Sequence, residues 1–175
     1  MKCQVGTPMI AAAASVLFVS VALIAQDKSV KVPDGLAVSD FKGYETWETI
    51  APSYTDHGTK VILGNPTMMK AYSDGTPANG KPVPDGAMMA KIEWTQKKDT
   101  ASPYDVTVPD TLKSLSFMVK DSTRFAATGG WAWAQFTYDA PSNSLKPVGT
   151  GTACGYACHQ RVKARDLLFT HYARR

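Results

Sequence analysis

The sequence predicts an α+β domain built mainly on an antiparallel sheet with short helices between the strands. Three observations lead there. The segments with strand character are of hairpin length and show two-residue alternation. The helical segments between them are short, unlike the long helices that cross over between parallel strands. Clusters of Gly, Pro, Asn and Asp punctuate the chain where one element gives way to the next.

Taken in order, Tyr44, Trp47 and Ile50 recur at helical spacing and the run stops before Pro52, which predicts a short helix. Lys60 to Leu63 reads as a strand. Asn65 followed by Pro66 offers an N-cap with proline at the first helical position, so a second short helix is expected through Tyr72, ending by Gly75. Residues Gly75 to Gly86 read as a loop whose Asp85-Gly86 turn launches a strand from Ala87 to Trp94. From Thr111 to Lys120, Leu115, Phe117 and Val119 alternate with Ser114, Ser116 and Met118, which suits a strand with one well-buried face. Asp121 can cap a short helix from Ser122 to Ala127, Gly129 and Gly130 break the chain, and Trp131 to Tyr138 forms a fourth strand. A flexible stretch from Asp139 to Thr150 then leads to a last helix from about Cys158 to Phe169. No internal repeat or low-complexity tract interrupts this order.

The first residues read differently. Lys2, a largely apolar run from Met9 to Ala25 and the polar Gln26, Asp27 and Lys28 have the layout of a secretory signal. Ser20 and Ala22 supply the small residues that cleavage needs, whereas a cut after Ala25 would place Leu23 at the third position before it. An uncleaved membrane anchor is the alternative, and both readings export the remainder to the periplasm. The expected organisation is a signal peptide over 1–25, a flexible leader over 26–40 containing Pro33, Asp34 and Gly35, and a folded domain over 41–175. The roughly 150 residues after the signal can build a core without disulfide staples. Net charge is +4, with Arg161, Lys163, Arg165, Arg174 and Arg175 near the end. No long basic stripe with interleaved aromatics is present, which argues against nucleic acid as a partner.

Beyond Cys3 in the signal segment, the cysteines are Cys154 and Cys158, and His159 follows the second directly. This is the logic of covalent haem attachment: each thiol can add to one haem vinyl group, and the adjacent imidazole is delivered to the iron as axial ligand. The usual pattern has two residues between the cysteines. Here Gly155, Tyr156 and Ala157 make three, so the additional residue must bulge or wind into the helix. A periplasmic disulfide, or a Cys-Cys-His site for zinc or copper, remains open for the same residues. A structural zinc site wants a fourth ligand, for which His57 and His171 are the remaining histidines, and a disulfide gives no reason for the adjacent His159. Arg161, Lys163 and Arg165 are candidates for haem propionate contacts, or they form a solvated helix face.

The segment from Met118 to Trp131 (MVKDSTRFAATGGW), followed by the cysteine motif, resembles the cytochrome P-460 family. Gly64-Asn65-Pro66, Pro84-Asp85-Gly86 and Trp131-Ala132-Trp133 follow the family's order, and the similarity spans about Phe41 to His171. The resemblance implies a mainly antiparallel fold, often dimeric, enclosing one haem c per chain, with histidine on one side of the iron and an open or weakly occupied opposite side. Members either oxidise hydroxylamine and carry a lysine bonded to the porphyrin, or, like cytochrome c′-beta, lack that bond and bind nitric oxide. The position after the Pro-Asp-Gly turn resembles Lys91, with Lys81 and Lys70 as further candidates. Strand alternation groups Lys91 with Ala87, Met89 and Glu93, facing either a haem pocket or water. Trp131, Trp133, Phe125 and Tyr72 are expected to wall the pocket. A sixth iron ligand would come from His57 or from Met68, Met69, Met88, Met89 or Met118, since His171 lies close in sequence to the proximal helix. The function expected is therefore an exported mono-haem cytochrome that binds or redox-processes hydroxylamine or nitric oxide and exchanges electrons with a partner cytochrome. The alternative is a six-coordinate electron-transfer cytochrome without catalytic activity.

Overall fold

The computed structural model describes residues 30–149 and 151–172. The expected signal segment and Cys3 lie outside the described residues. Among the described residues six strands form one antiparallel sheet in sequence order: β1 (Glu48–Thr55), β2 (Gly58–Gly64), β3 (Met88–Lys98), β4 (Thr107–Lys120), β5 (Trp131–Asp139) and β6 (Ser144–Pro147). Two α-helices accompany it, α1 (Pro66–Ser73) after β2 and α2 (Thr152–His159) after β6. The α+β class read from the sequence is the class observed.

Several elements depart from expectation, each for a local reason. The helix predicted over Tyr44 to Ile50 is a single 3-10 turn at Tyr44–Thr46, after which the chain extends into β1. Pro52 stops no helix here; it lies in an edge strand opposite Val61, where a missing N–H costs no internal ladder bond. The flexible stretch after Asp139 contains β6, which pairs Leu145 with Tyr138. The last helix starts earlier than expected and carries both cysteines and His159 inside α2, then tightens into a 3-10 segment, Gln160–Arg165. Asp121 accepts N–H bonds from Thr123 and Arg124 as a cap does, but the chain continues through turns into a 3-10 helix at Ala126–Thr128.

The alternation along the strands gives the sheet two covered faces. On one, Leu115, Phe117, Ala134 and Phe136 pack against Val32, Leu36, Val38, Phe41 and Tyr44 from the chain before β1. The leader, expected to stay mobile, is thus part of the core from Val32 onward. Its apolar residues Val32, Leu36 and Val38 are each almost wholly buried, and Lys31 bridges Ala37 in a small hairpin. Phe117 is the centre of this layer, stacked on Phe41 at 4.3 Å and meeting Tyr44 and Phe136 edge-on.

The other face carries Met89, Met118, Trp131 and Trp133, covered in part by α1 and by Leu167 and Leu168 after α2. α1 buries Met68, Ala71 and Tyr72, one face at i, i+3 and i+4. Asn65 begins it as predicted: its Oδ1 accepts from Met68 N and also from Met88 N, so one side chain caps the helix and fixes the start of β3.

Truncating Phe117 to alanine removes the shared partner of three rings. We expect the Phe117→Ala protein to lose about 3–5 kcal/mol of stability in urea denaturation.

Candidate functional site

The second face of the sheet is not fully closed. Between it, α2 and residues 169–171 lies a cavity of about 640 Å3, within the range of cofactor and ligand pockets. Ile62, Lys91, Ser116, Met118 and Trp133 form its sheet wall, and Cys154, Cys158 and His159 its helix wall.

α2 is fixed against this wall at three points. The Asp34 carboxylate accepts the Thr152 N–H at 2.6 Å, at the first turn where helix N–H groups lack internal partners. Thr152 Oγ1 accepts the N–H of Trp133 at 3.1 Å. At Gly155 the helix lies directly on the Trp133 side chain: a Cβ there would fall 2.2 Å from Cγ and 2.5 Å from Cβ of Trp133. The glycine in the motif is therefore a packing requirement.

With α2 so placed, Cys154 and Cys158 stand at i and i+4, one turn apart on the same side of a regular helix. The third intervening residue winds into the helix and no bulge is needed. Both cysteines are free thiols. Positions i and i+4 hold their Cβ atoms about 5–6 Å apart, beyond the roughly 3.5–4.5 Å a disulfide spans. Among the described residues no three His, Cys, Asp or Glu side chains converge on a metal-sized point.

His159 closes α2. Its Nδ1 lies 2.6 Å from the Leu167 carbonyl. A carbonyl only accepts, so Nδ1 carries the proton and Nε2 keeps its lone pair, the state required of an iron ligand. Trp133 and Phe169 flank the ring at 5.2 and 4.9 Å. Burial lowers the pKa of His159 below the ordinary histidine range; the bond to Leu167 opposes this and the charge of Lys91 adds to it.

Lys91 sits on β3 opposite Ile62 and Ser116. Of the three lysines the sequence nominated, it alone lines the cavity; Lys70 is exposed on the outer side of α1 and ion-paired to Asp74, and Lys81 is exposed in the loop after it. Burial pushes its pKa down, Glu93 counters this, and Lys60 adds to the depression. Glu93 in turn holds Lys113 at 3.0 Å and Lys60 at 3.9 Å. The Oγ of Ser116 and Nε1 of Trp133 are buried without a hydrogen-bond partner, and both residues line the cavity.

The remaining candidates fall elsewhere. Arg161 and Lys163 are exposed on the 3-10 segment and do not line the cavity, while Arg165 Nη1 donates to His171 Nε2 at 2.6 Å and to the Phe169 carbonyl. His57 is exposed in the β1–β2 turn. His171, which sequence proximity to α2 argued against as an iron ligand from the opposite side, lines the cavity after left-handed backbone at Asp166 and Leu167 turns the chain back. Of the five methionines weighed, Met89 and Met118 line it. Trp133 is a wall, as expected; Trp131 is buried beside Lys120, Tyr72 donates to the Thr170 carbonyl, and Phe125 lines a separate cleft. Ser116, Gln135 and Phe169 were not anticipated as lining residues. The alternation of β4 had already set Ser116 on the same side as Met118.

The family model for Cytochrome P460 matches residues 41–170. The chain belongs to this family. No curated protein matches the sequence. Membership makes this a c-type haem protein related to hydroxylamine-processing cytochromes, and its residues fit that cofactor. The cavity is largely apolar, two free thiols and an imidazole with a free Nε2 share one wall, and two polar atoms on the other side lack partners.

This geometry sets two expected outcomes. Gly155→Ala forces α2 off Trp133, and thermal unfolding is expected to register a loss of about 1–3 kcal/mol, the range for overpacking. Because burial disfavours its charged form, the Lys91 ammonium in the haem-free protein is expected to titrate below 10.5, read from its side-chain signal by NMR against the Lys91→Met protein.

Proposed function

We propose that the chain is an exported mono-haem c-type cytochrome that binds or redox-processes small nitrogen oxides, hydroxylamine or nitric oxide, in the cavity shared by His159 and Lys91. The observation that carries this reading is the placement of Cys154, Cys158 and His159 on one wall with Lys91 on the wall across from them. Cys154 and Cys158 would hold the haem covalently, each S–H adding across one vinyl group, sulfur to one carbon and hydrogen to the other, so attachment would need no oxidant. His159 would hold the iron through Nε2, with Leu167 fixing the ring and its tautomer.

When bound, the haem supplies iron-centred electron transfer and a coordination position for a small ligand. The protein supplies the surroundings. Ile62, Met89 and Met118 exclude water, which strengthens any polar contact made inside. Lys91 Nζ and Ser116 Oγ are hydrogen-bonding groups of the sheet wall: the hydroxyl donates or accepts, and the Lys91 ammonium, whose charged form burial disfavours, donates. Electrons pass to a partner cytochrome in the periplasm, and the protein works as a homodimer. His171, the second histidine lining the cavity, has its Nε2 engaged by Arg165, which disfavours it as a sixth ligand and leaves Met89 and Met118 as the lining candidates for the six-coordinate alternative.

Protein matured with covalent haem should give a high-spin, five-coordinate spectrum on reduction and a new spectrum on adding nitric oxide. A low-spin spectrum indifferent to nitric oxide would overturn the open-site reading. Replacing both Cys154 and Cys158 by serine should leave the haem extractable by acidified organic solvent. Mass spectrometry of the haem peptide then separates the two nitrogen-oxide activities: a crosslinked Lys91 peptide points to hydroxylamine oxidation, its absence to nitric oxide binding.

A further inference from the structure

Away from the cavity, Lys120 and Asp166 form a charged pair that is largely shielded from water, their side chains 5% and 16% exposed. Lys120, at the end of β4, is 4% exposed. Its Nζ lies 2.9 and 3.0 Å from the two carboxylate oxygens of Asp166 and donates to the Gly129 carbonyl at 2.9 Å, which satisfies all three of its N–H groups. The Trp131 ring covers the same ammonium at 5.1 Å. Asp166 Oδ2 also accepts the N–H of Val83 at 2.7 Å. The carboxylate is thereby tied to two separate parts of the chain, the end of β4 and the loop before β3.

Asp166 is where the chain leaves the 3-10 segment, and its backbone is left-handed at φ 46 and ψ 42. Leu167 follows at φ 65. Two successive residues with side chains in this region are strained, and such strain persists only where the surroundings over-determine it. The Lys120 and Val83 contacts hold the first residue, and burial of the Leu167 side chain, 3% exposed, holds the second. The product of this double turn is a single carbonyl: Leu167 O, aimed at Nδ1 of His159 at 2.6 Å. An α-helix continued past Arg165 would carry that carbonyl away.

We propose that Lys120 and Asp166 are positioning residues for the proximal histidine, holding the strained turn that presents the Leu167 carbonyl and so setting how strongly His159 donates to the iron. The inference rests on His159 being the axial ligand. A carbonyl accepting from Nδ1–H raises the basicity of Nε2; a turn that relaxes withdraws the acceptor and weakens the donation. Neither residue touches the cavity, so their effect reaches the iron through the imidazole.

The test is the iron–histidine stretching band of the reduced holoprotein by resonance Raman, together with its reduction potential. Asp166→Ala is expected to move the band to lower frequency and raise the potential. Asp166→Asn, which tolerates left-handed backbone and still accepts from Val83, should shift both less. Should Asp166→Ala not accumulate folded, the Lys120→Met/Asp166→Asn double variant removes both charges at similar volume and is expected to show the lower band. Variants that melt earlier but keep band and potential at wild-type positions would overturn the inference and leave the pair a purely structural contact. Absence of an iron–histidine band from reduced wild-type protein whose absorption spectrum is high-spin and five-coordinate would instead overturn the ligand assignment on which it rests.

Discussion

The contact between α2 and Trp133 governs the arrangement of the site. A helix carrying two thiols and an imidazole has no fixed relation to a sheet unless something sets its depth and rotation. Gly155 does so by having no side chain where the Trp133 ring lies, and Thr152 adds a hydrogen bond to the Trp133 backbone. Trp133 is a strand residue whose orientation β5 fixes through its ladder with β4. The rigidity of the central sheet thus passes through one ring to the helix, and the cavity wall takes its shape from that contact.

That dependence extends to both ends of α2. At its start, Asp34 reaches from the leader to the first helical N–H, so the N-terminal segment serves the core on one face of the sheet and the helix beyond its other face. At its end, the left-handed turn at Asp166 and Leu167 reverses the chain, giving His159 its acceptor and bringing Phe169, Thr170 and His171 to the cavity. The helix is short, eight residues, and would be marginal alone. Tertiary contacts at each end hold it.

The cavity divides its polar groups by function. The helix wall offers covalent and coordinating atoms; the sheet wall offers Lys91, Ser116 and, near it, the Glu93 cluster with Lys60 and Lys113. Lys91 is depressed chiefly by burial, and its charge reaches His159 across the cavity. Membership of the Cytochrome P460 family implies a haem, and the cavity brings two free thiols and an imidazole to one wall, a donor set that fits such a group.

Sequence alone determined whatever is encoded in local spacing. Two-residue alternation set the faces of β3, β4 and β5, Asn65 and Pro66 marked the start of α1, and the adjacency of Cys158 and His159 singled out α2 as the candidate site helix. It misplaced β1 because a proline in an edge strand looks like a helix stop, and it left Val32 to Val38 outside the fold because a short apolar run has no visible partner until the sheet exists. The tertiary structure decided the rest. Whether Lys91 met a cavity or water depended on what α2 covered; which histidine reached that cavity depended on a strained reversal after Arg165; and the partners of Lys120 and His159 were set 46 and 8 residues away. Alternation fixes which side of a strand a residue faces, but what lies on that side is supplied by distant chain, and no local pattern specifies it.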